Sequence, residues 1–191
     1  MMRKSCPVIL LLAVFGITLS AKAQDDTTKL EAYAGYDYIR FNVNADVPGV
    51  PPHQSFNGNG GGGQLEFNAN SWLGIVGDLS GYGVTNTSSE LVGWVMPYLL
   101  GPRINLRHGR FAPFAQTLFG GILASDRIGG LGSQNNFAMT AGGGIDIRVS
   151  RHYSVRPVQA EYLLTKIPDG LNNRQNNFRF SPGIVFRFGR T

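Results

Sequence analysis

Apolar and polar residues alternate with a period of two in eight successive stretches of this chain, and helical i, i+3, i+4 spacing is scarce between them. The stretches run over 30–41, 60–69, 72–84, 91–106, 111–124, 137–149, 153–165 and 177–188. Each supplies the roughly 9–11 residues that a tilted strand needs to cross a hydrocarbon layer. The connections alternate in length. Long segments rich in Asn, Gly and Pro, such as 42–59 with Pro48, Pro51 and Pro52, take turns with tight ones such as Asn70-Ser71, 107–110 and 150–152. Short turns on one side and longer loops on the other predict an all-β, eight-stranded antiparallel up-and-down transmembrane β-barrel, with long extracellular loops and short periplasmic turns.

The faces of the strands say which side meets lipid. In the last stretch Phe178, Phe180, Ile184, Phe186 and Phe188 oppose Asn177, Arg179, Ser181, Gly183 and Arg187; in the sixth, Ile145 and Ile147 oppose Gly142, Gly144, Asp146 and Arg148. A water-soluble barrel that enclosed the fatty face would expose a surface rich in Lys and Glu, but after residue 23 the only lysines are Lys29 and Lys166. Glycines set between arginines and carboxylates suit the inside of a narrow tube, since eight strands leave just enough room for side chains. The polar rows therefore predict a luminal ion-pair network of Glu31, Asp37, Glu66, Asp78, Arg103, Asp146, Arg148, Glu161, Arg179 and Arg187, because charges in a water-poor space must pair. The outward rows supply Tyr36, Tyr38, Trp72, Trp94, Tyr98, Tyr153 and Tyr162 as membrane-interface aromatics. A strand edge has no water to bond in hydrocarbon, so the first and last strands are expected to pair and close the ring.

The N-terminus reads as an export signal. Arg3 and Lys4 precede an apolar run of about a dozen residues, too short for the roughly 20 of a spanning helix, and Ala21-Lys22-Ala23 offers a cleavage site before Gln24. This divides the chain into a cleavable signal peptide, 1–23, and a barrel domain, 24–191, exported by the Sec pathway to the bacterial outer membrane. Removing residues 1–23 takes away Arg3, Lys4, Lys22 and Cys6, the only cysteine, so seventeen basic residues become fourteen against twelve acids, a net of +2. No basic run is left to engage nucleic acid. With 42% hydrophobic and 15% charged residues the chain is too apolar for disorder and long enough for one domain.

Trp72-Leu73-Gly74-Ile75-Val76-Gly77-Asp78-Leu79-Ser80, Pro113-Phe114-Ala115-Gln116-Thr117-Leu118-Phe119-Gly120-Gly121, Arg156-Pro157-Val158-Gln159-Ala160-Glu161-Tyr162 and Gly183-Ile184-Val185-Phe186-Arg187-Phe188, with Gly101-Pro102-Arg103 and Gly142-Gly143-Gly144-Ile145-Asp146, carry a resemblance. Over 24–191 the chain resembles the outer membrane protein β-barrel domain family, the OmpA-type eight-stranded barrels, and among them small acidobacterial outer-membrane barrels. The resemblance implies outer-membrane lipid and lipopolysaccharide as surroundings and the barrel-assembly machinery as a partner in biogenesis. The family usually ends on an aromatic residue, whereas Phe188 is followed here by Gly189-Arg190-Thr191. No wall-binding domain is expected after the last strand.

Little in the sequence points to chemistry. His152, Ser154 and Glu161 have the residue types of barrel lipid deacylases, since a base beside a hydroxyl is the minimum for acyl transfer; their place near a periplasmic turn argues against that use. His53, His108 and His152 lack metal-ligand spacing. The glycine run 58–63 lacks a following Lys-Ser or Lys-Thr and reads as a flexible loop end rather than a phosphate cradle. The expectation is a non-enzymatic monomer without cofactor or metal, with a structural or surface-interaction role. A narrow gated pore for ions or small solutes is the alternative, with a lipid-modifying enzyme or a soluble ligand-binding barrel less favoured.

Overall fold

The computed structural model describes residues 28–43, 54–86, 91–124, 134–166 and 174–188, and every regular element among them is a strand. The expected signal peptide and cleavage site lie outside the described residues. The strands are β1 (Leu30–Val43), β2 (Gln54–Asn68), β3 (Leu73–Asn86), β4 (Leu91–Asn105), β5 (Phe111–Ala124), β6 (Gln134–Arg148), β7 (Tyr153–Thr165), β8 (Gln175–Phe180) and β9 (Gly183–Phe188). From β1 to β8 neighbours in sequence pair antiparallel, β7 pairs with β9 as well as β8, and β1 pairs with β2 on one side and with β8 and β9 on the other. The sheet is therefore a closed barrel. Its β8 and β9 lie end to end and form one stave, so the wall has eight staves. Following the register once around from Leu30 through Phe67, Ile75 and Pro102, across to Thr117 in step with the flanking pairs Leu100 with Phe119 and Arg103 with Gln116, and on through Ala141, Tyr162 and Phe178, arrives at Arg40, ten positions along β1. That stagger tilts the strands and closes the ring at a width that side chains can fill.

The turns at one end are locked by the residues that form them. Asn70 Oδ1 accepts from the amides of Trp72 and Leu73 at 3.0 and 2.8 Å between β2 and β3. Ser150 Oγ does the same for His152 and Tyr153 at 3.2 and 3.1 Å between β6 and β7. Between β4 and β5, Gly109 takes φ 59°, a left-handed conformation that glycine adopts without steric cost.

Three departures from the expected strands have local causes. The stretch 177–188 is interrupted at Ser181-Pro182, because proline has no amide hydrogen to give the ladder; the Pro182 carbonyl instead accepts from Tyr36 N at 3.1 Å. The glycine run 58–63 is wall, not a flexible loop end: β2 begins at Gln54, and these glycines pair with β1 on one side and β3 on the other. A Cβ at Gly60 would strike the Gly81 carbonyl, and one at Gly62 the Asp37 carboxylate and the Ser80 hydroxyl. Close approach explains the composition that suggested a loop. Between β6 and β7 the register slips, with Ile145 opposite Val158 but Ile147 opposite Val155, so β7 carries a bulge around Arg156-Pro157.

Leu65, Ile75, Leu79, Leu100, Phe119, Phe178 and Ile184 point outward and are exposed, while the alternate residues are enclosed. The enclosed set is not uniformly polar. Toward the loop end it is an apolar cluster that includes Ile39, Phe41, Tyr82, Val95, Ile122, Ala138 and Leu163. That corrects the expectation of a lumen filled by polar rows along its whole length. Ile39 and Phe41 continue the inward phase of Asp37, and an interior needs volume as much as it needs polarity.

Candidate functional site

The lumen below the apolar cluster is built around three arginines, Arg103, Arg156 and Arg179, each 1% exposed. Arg103 on β4 donates to Glu66 at 2.6 Å, to Gln116 at 2.7 Å and to Gln64 at 2.5 Å. Arg156 on β7 forks onto Asp146 at 2.6 and 2.9 Å and reaches Gln64 at 2.8 Å and Gln159 at 2.7 Å. Arg179 on β8 forks onto Asp78 at 3.0 and 2.9 Å and donates from Nε to Glu161 at 2.7 Å. Bidentate guanidinium-carboxylate contacts of this kind are the strong class of hydrogen bond. The Phe114 ring lies between two of the cations, 4.2 Å from the Arg103 guanidinium carbon and 4.5 Å from that of Arg156, and Tyr33 stacks on Arg156 at 4.6 Å. Amides join the parts: Gln64 donates to Asp78 at 2.8 Å, and Gln116 and Gln159 donate to Glu161 at 2.6 and 3.0 Å.

The turn-side mouth holds a looser group. Glu31 faces Arg107 at 3.3 Å and Arg187 at 3.5 Å, and Arg107 also donates to Asn68 at 2.8 Å and to the Ser71 carbonyl at 2.5 Å. Arg148 lies half-buried at this mouth. Asp37 sits apart, between the arginine layer and the apolar cluster, with Tyr82 donating to one oxygen at 3.4 Å and nothing bonded to the other.

All ten residues expected in the lumen thus lie on its side of the wall: Glu66 and Arg103 in one group, Asp78, Glu161 and Arg179 in a second, Glu31 and Arg187 at the mouth, Asp146 with a partner outside the expected set. That partner, Arg156, escaped sequence reading because counting by twos from Glu161 puts it outside; the bulge at Pro157 returns it to the interior, and a proline within a strand was the available signal. Gln64 and Gln159 share the phase of Glu66 and Glu161 and were legible by the same count, whereas Gln116 lies on a strand with no charged residue to mark its inward face. Of the expected interface aromatics, Tyr36, Trp72, Trp94, Tyr98, Tyr153 and Tyr162 are exposed on the outer wall and Tyr38 is half-buried there. Four of the tyrosines bond to an asparagine across the wall: Tyr36 to Asn59 at 2.5 Å, Tyr38 to Asn57 at 2.9 Å and Tyr162 to Asn176 on the next strand, and Tyr98 to Asn135 at 2.9 Å two strands away, over Gly121 of β5. His152, Ser154 and Glu161 do not assemble: His152 is exposed on its turn, whereas the side-chain partners of Glu161 are Arg179, Gln116 and Gln159. Among the described residues no three His, Cys, Asp or Glu side chains converge.

The model of the outer membrane protein beta-barrel domain family matches residues 9–186. The chain belongs to this family. No curated protein sequence matches it. Among solved structures the barrel is similar in fold to the outer membrane protein OprG of Pseudomonas aeruginosa, with 10% identity, a TM-score of 0.59 and coverage of 86% of this chain and 97% of that one. It is similar as well to Neisserial surface protein A, with 14% identity, a TM-score of 0.56 and coverage of 82% and 97%. The outer membrane protein AlkL shares the fold at 12% identity and a TM-score of 0.53, with coverage of 98% and 97%. Family and architecture place this outer-membrane barrel in the bacterial outer membrane, its tight turns toward the periplasm.

Proposed function

We propose that this outer-membrane barrel has a structural or surface-interaction role and that its lumen is a plug rather than a conduit. The observation that carries the reading is the filling of the tube along its axis: three buried arginine groups in the periplasmic half, then an apolar cluster under the loops. A hydrated ion crossing it would have to break charge-assisted bonds and then enter a dry apolar layer, and both steps are costly. The two aromatic levels hold the wall at a fixed depth, with Tyr36, Tyr98, Tyr162 and Trp94 toward the loops and Trp72 and Tyr153 at the turns. Lipopolysaccharide and outer-membrane lipid surround that wall, Sec export and the barrel-assembly machinery deliver the chain as a monomer, and the loops are the contact surface for partners. The dispersal of His152, Ser154 and Glu161 argues against the acyl-transfer chemistry that those residue types suggest.

Single-channel recording on the refolded chain in planar bilayers tests the plug. The expected record is a flat baseline under applied potentials of either sign. Reproducible unitary steps, abolished on removing the protein, would replace this reading with the gated pore.

A further inference from the structure

We infer that the periplasmic mouth of the lumen binds a phosphate-class dianion, inorganic phosphate or a phosphomonoester, between Arg187, Arg107 and Arg110. Four arginines, Arg107, Arg110, Arg148 and Arg187, line a recess there against two carboxylates, Glu31 and Asp146. Arg148 has a partner of its own, so among the described residues the excess of two positive charges is that of Arg107, Arg110 and Arg187 over Glu31. Asp146 gives little compensation at the mouth, because both of its oxygens accept from Arg156 deeper in the tube. Glu31 is shared between Arg107 at 3.3 Å and Arg187 at 3.5 Å, against 2.6–3.0 Å for the bonds by which Arg103, Arg156 and Arg179 hold their carboxylates.

A second observation points into the recess. Arg187 is 8% exposed, yet its Nε has no hydrogen-bond partner. Buried guanidinium donors are ordinarily satisfied, and an exception asks for an explanation such as an ion. A dianion fits the charge excess, and the planar guanidinium fork matches the spacing of phosphate oxygens. The enclosed space, ≈ 10 Å³, admits about one water-sized group, so a P–O tip enters and the rest of the ligand stays in the periplasm. Arg110, exposed on the β4–β5 turn, is placed to close over it.

Arginine side-chain NMR tests this on the chain refolded into lipid nanodiscs of phosphatidylcholine, with inorganic phosphate as the probe and chloride at matched ionic strength as the control. The expected result is a saturable movement of the Arg187 Nε–Hε resonance with phosphate and none with chloride. Arg187→Gln, read from the Arg107 resonance, weakens binding at least tenfold. Arg110→Gln, on an exposed turn outside the wall, weakens it several-fold with the barrel intact. Discs containing phosphatidic acid identify the source of the phosphate: a lipid headgroup leaves Arg187 already at its bound position before phosphate is added, while a soluble ligand leaves the titration as it was in phosphatidylcholine. An unmoved Arg187 resonance in both kinds of disc, an equal response to chloride, or an Arg110→Gln titration matching the parent overturns the proposal.

Discussion

Arg179→Met is the sharpest probe of the buried network. The methionine keeps most of the aliphatic stem and removes the guanidinium, which is 1% exposed and bridges Asp78 and Glu161. Asp78 is left with Gln64 at 2.8 Å and Ser80 at 3.2 Å, and Glu161 with Gln116 at 2.6 Å and Gln159 at 3.0 Å. Two enclosed carboxylates then face each other's field with no cation bonded to either. Breaking a buried pair by removing one partner costs about 3–5 kcal/mol, chiefly through the charge left behind. With two charges orphaned, the upper half of that range is expected, roughly three decades in the folding equilibrium. Urea titration of reversible folding into lipid vesicles reads it, using the fluorescence of Trp72 and Trp94 on the outer wall and the gel mobility of unheated samples. Adding Asp78→Asn and Glu161→Gln to Arg179→Met removes the orphaned charges and should recover all but about 1–2 kcal/mol, the scale of the hydrogen bonds lost. A loss below about 1 kcal/mol for the single variant, or a triple variant no more stable than the single, would refute the argument that charge compensation holds this layer.

Two further predictions address the wall. Leu100 and Leu106 are both 61% exposed on β4 and just beyond it, but Leu100 lies near mid-wall and Leu106 at the periplasmic turn; Leu100→Arg should cost about 2–4 kcal/mol in vesicle folding titrations and Leu106→Arg no more than about 1, whereas equal costs would contradict the lipid-facing assignment. Gly62→Leu drives a side chain into Asp37 and Ser80 and should cost about 1–3 kcal/mol or abolish folding, while Gly81→Ala, with open space around its Cβ, stays within about 1 kcal/mol of the parent on the same assay.

The sequence was most legible where the bilayer separates the two faces of a strand by composition. Phe178 and Ile184 could not be confused with Arg179 and Arg187, so strand identity followed from period two, facing from the charges and the scarcity of lysine, and closure from the lack of water for a free edge in hydrocarbon. It was least legible where a neighbour's shape overrides a residue's own tendency. Gly60 and Gly62 are poor strand formers in isolation, but they are the residues that fit against Gly81, Asp37 and Ser80. Arg156 depends on a one-residue slip of β7 against β6, and Pro182 divides a strand that remains a single stave. The apolar interior near the loops was hidden for a different reason: an inward row is defined by phase, and phase carries no instruction that the row be polar.

The arginine layer also explains how a barrel that encloses an apolar cluster only in part of its lumen can be stable. Lipid tails are as apolar as leucine, so enclosing apolar side chains gains little over leaving them in the bilayer. A charge facing hydrocarbon is costly at mid-wall. The network therefore does not have to outcompete a fatty interior; it has to be better than the same arginines and carboxylates in lipid, and short bidentate contacts meet that lower requirement. Its connectivity goes further than pairing. Arg103 joins β4 to β2 and β5, Arg156 joins β7 to β6 and β2, and Arg179 joins β8 to β3 and β7. Gln64 is where they meet, its carbonyl accepting from Arg103 and Arg156 while its amide donates to the Asp78 that holds Arg179. Staves far apart around the ring are thus tied across the lumen by a single neutral side chain, which couples the three cations without adding a charge.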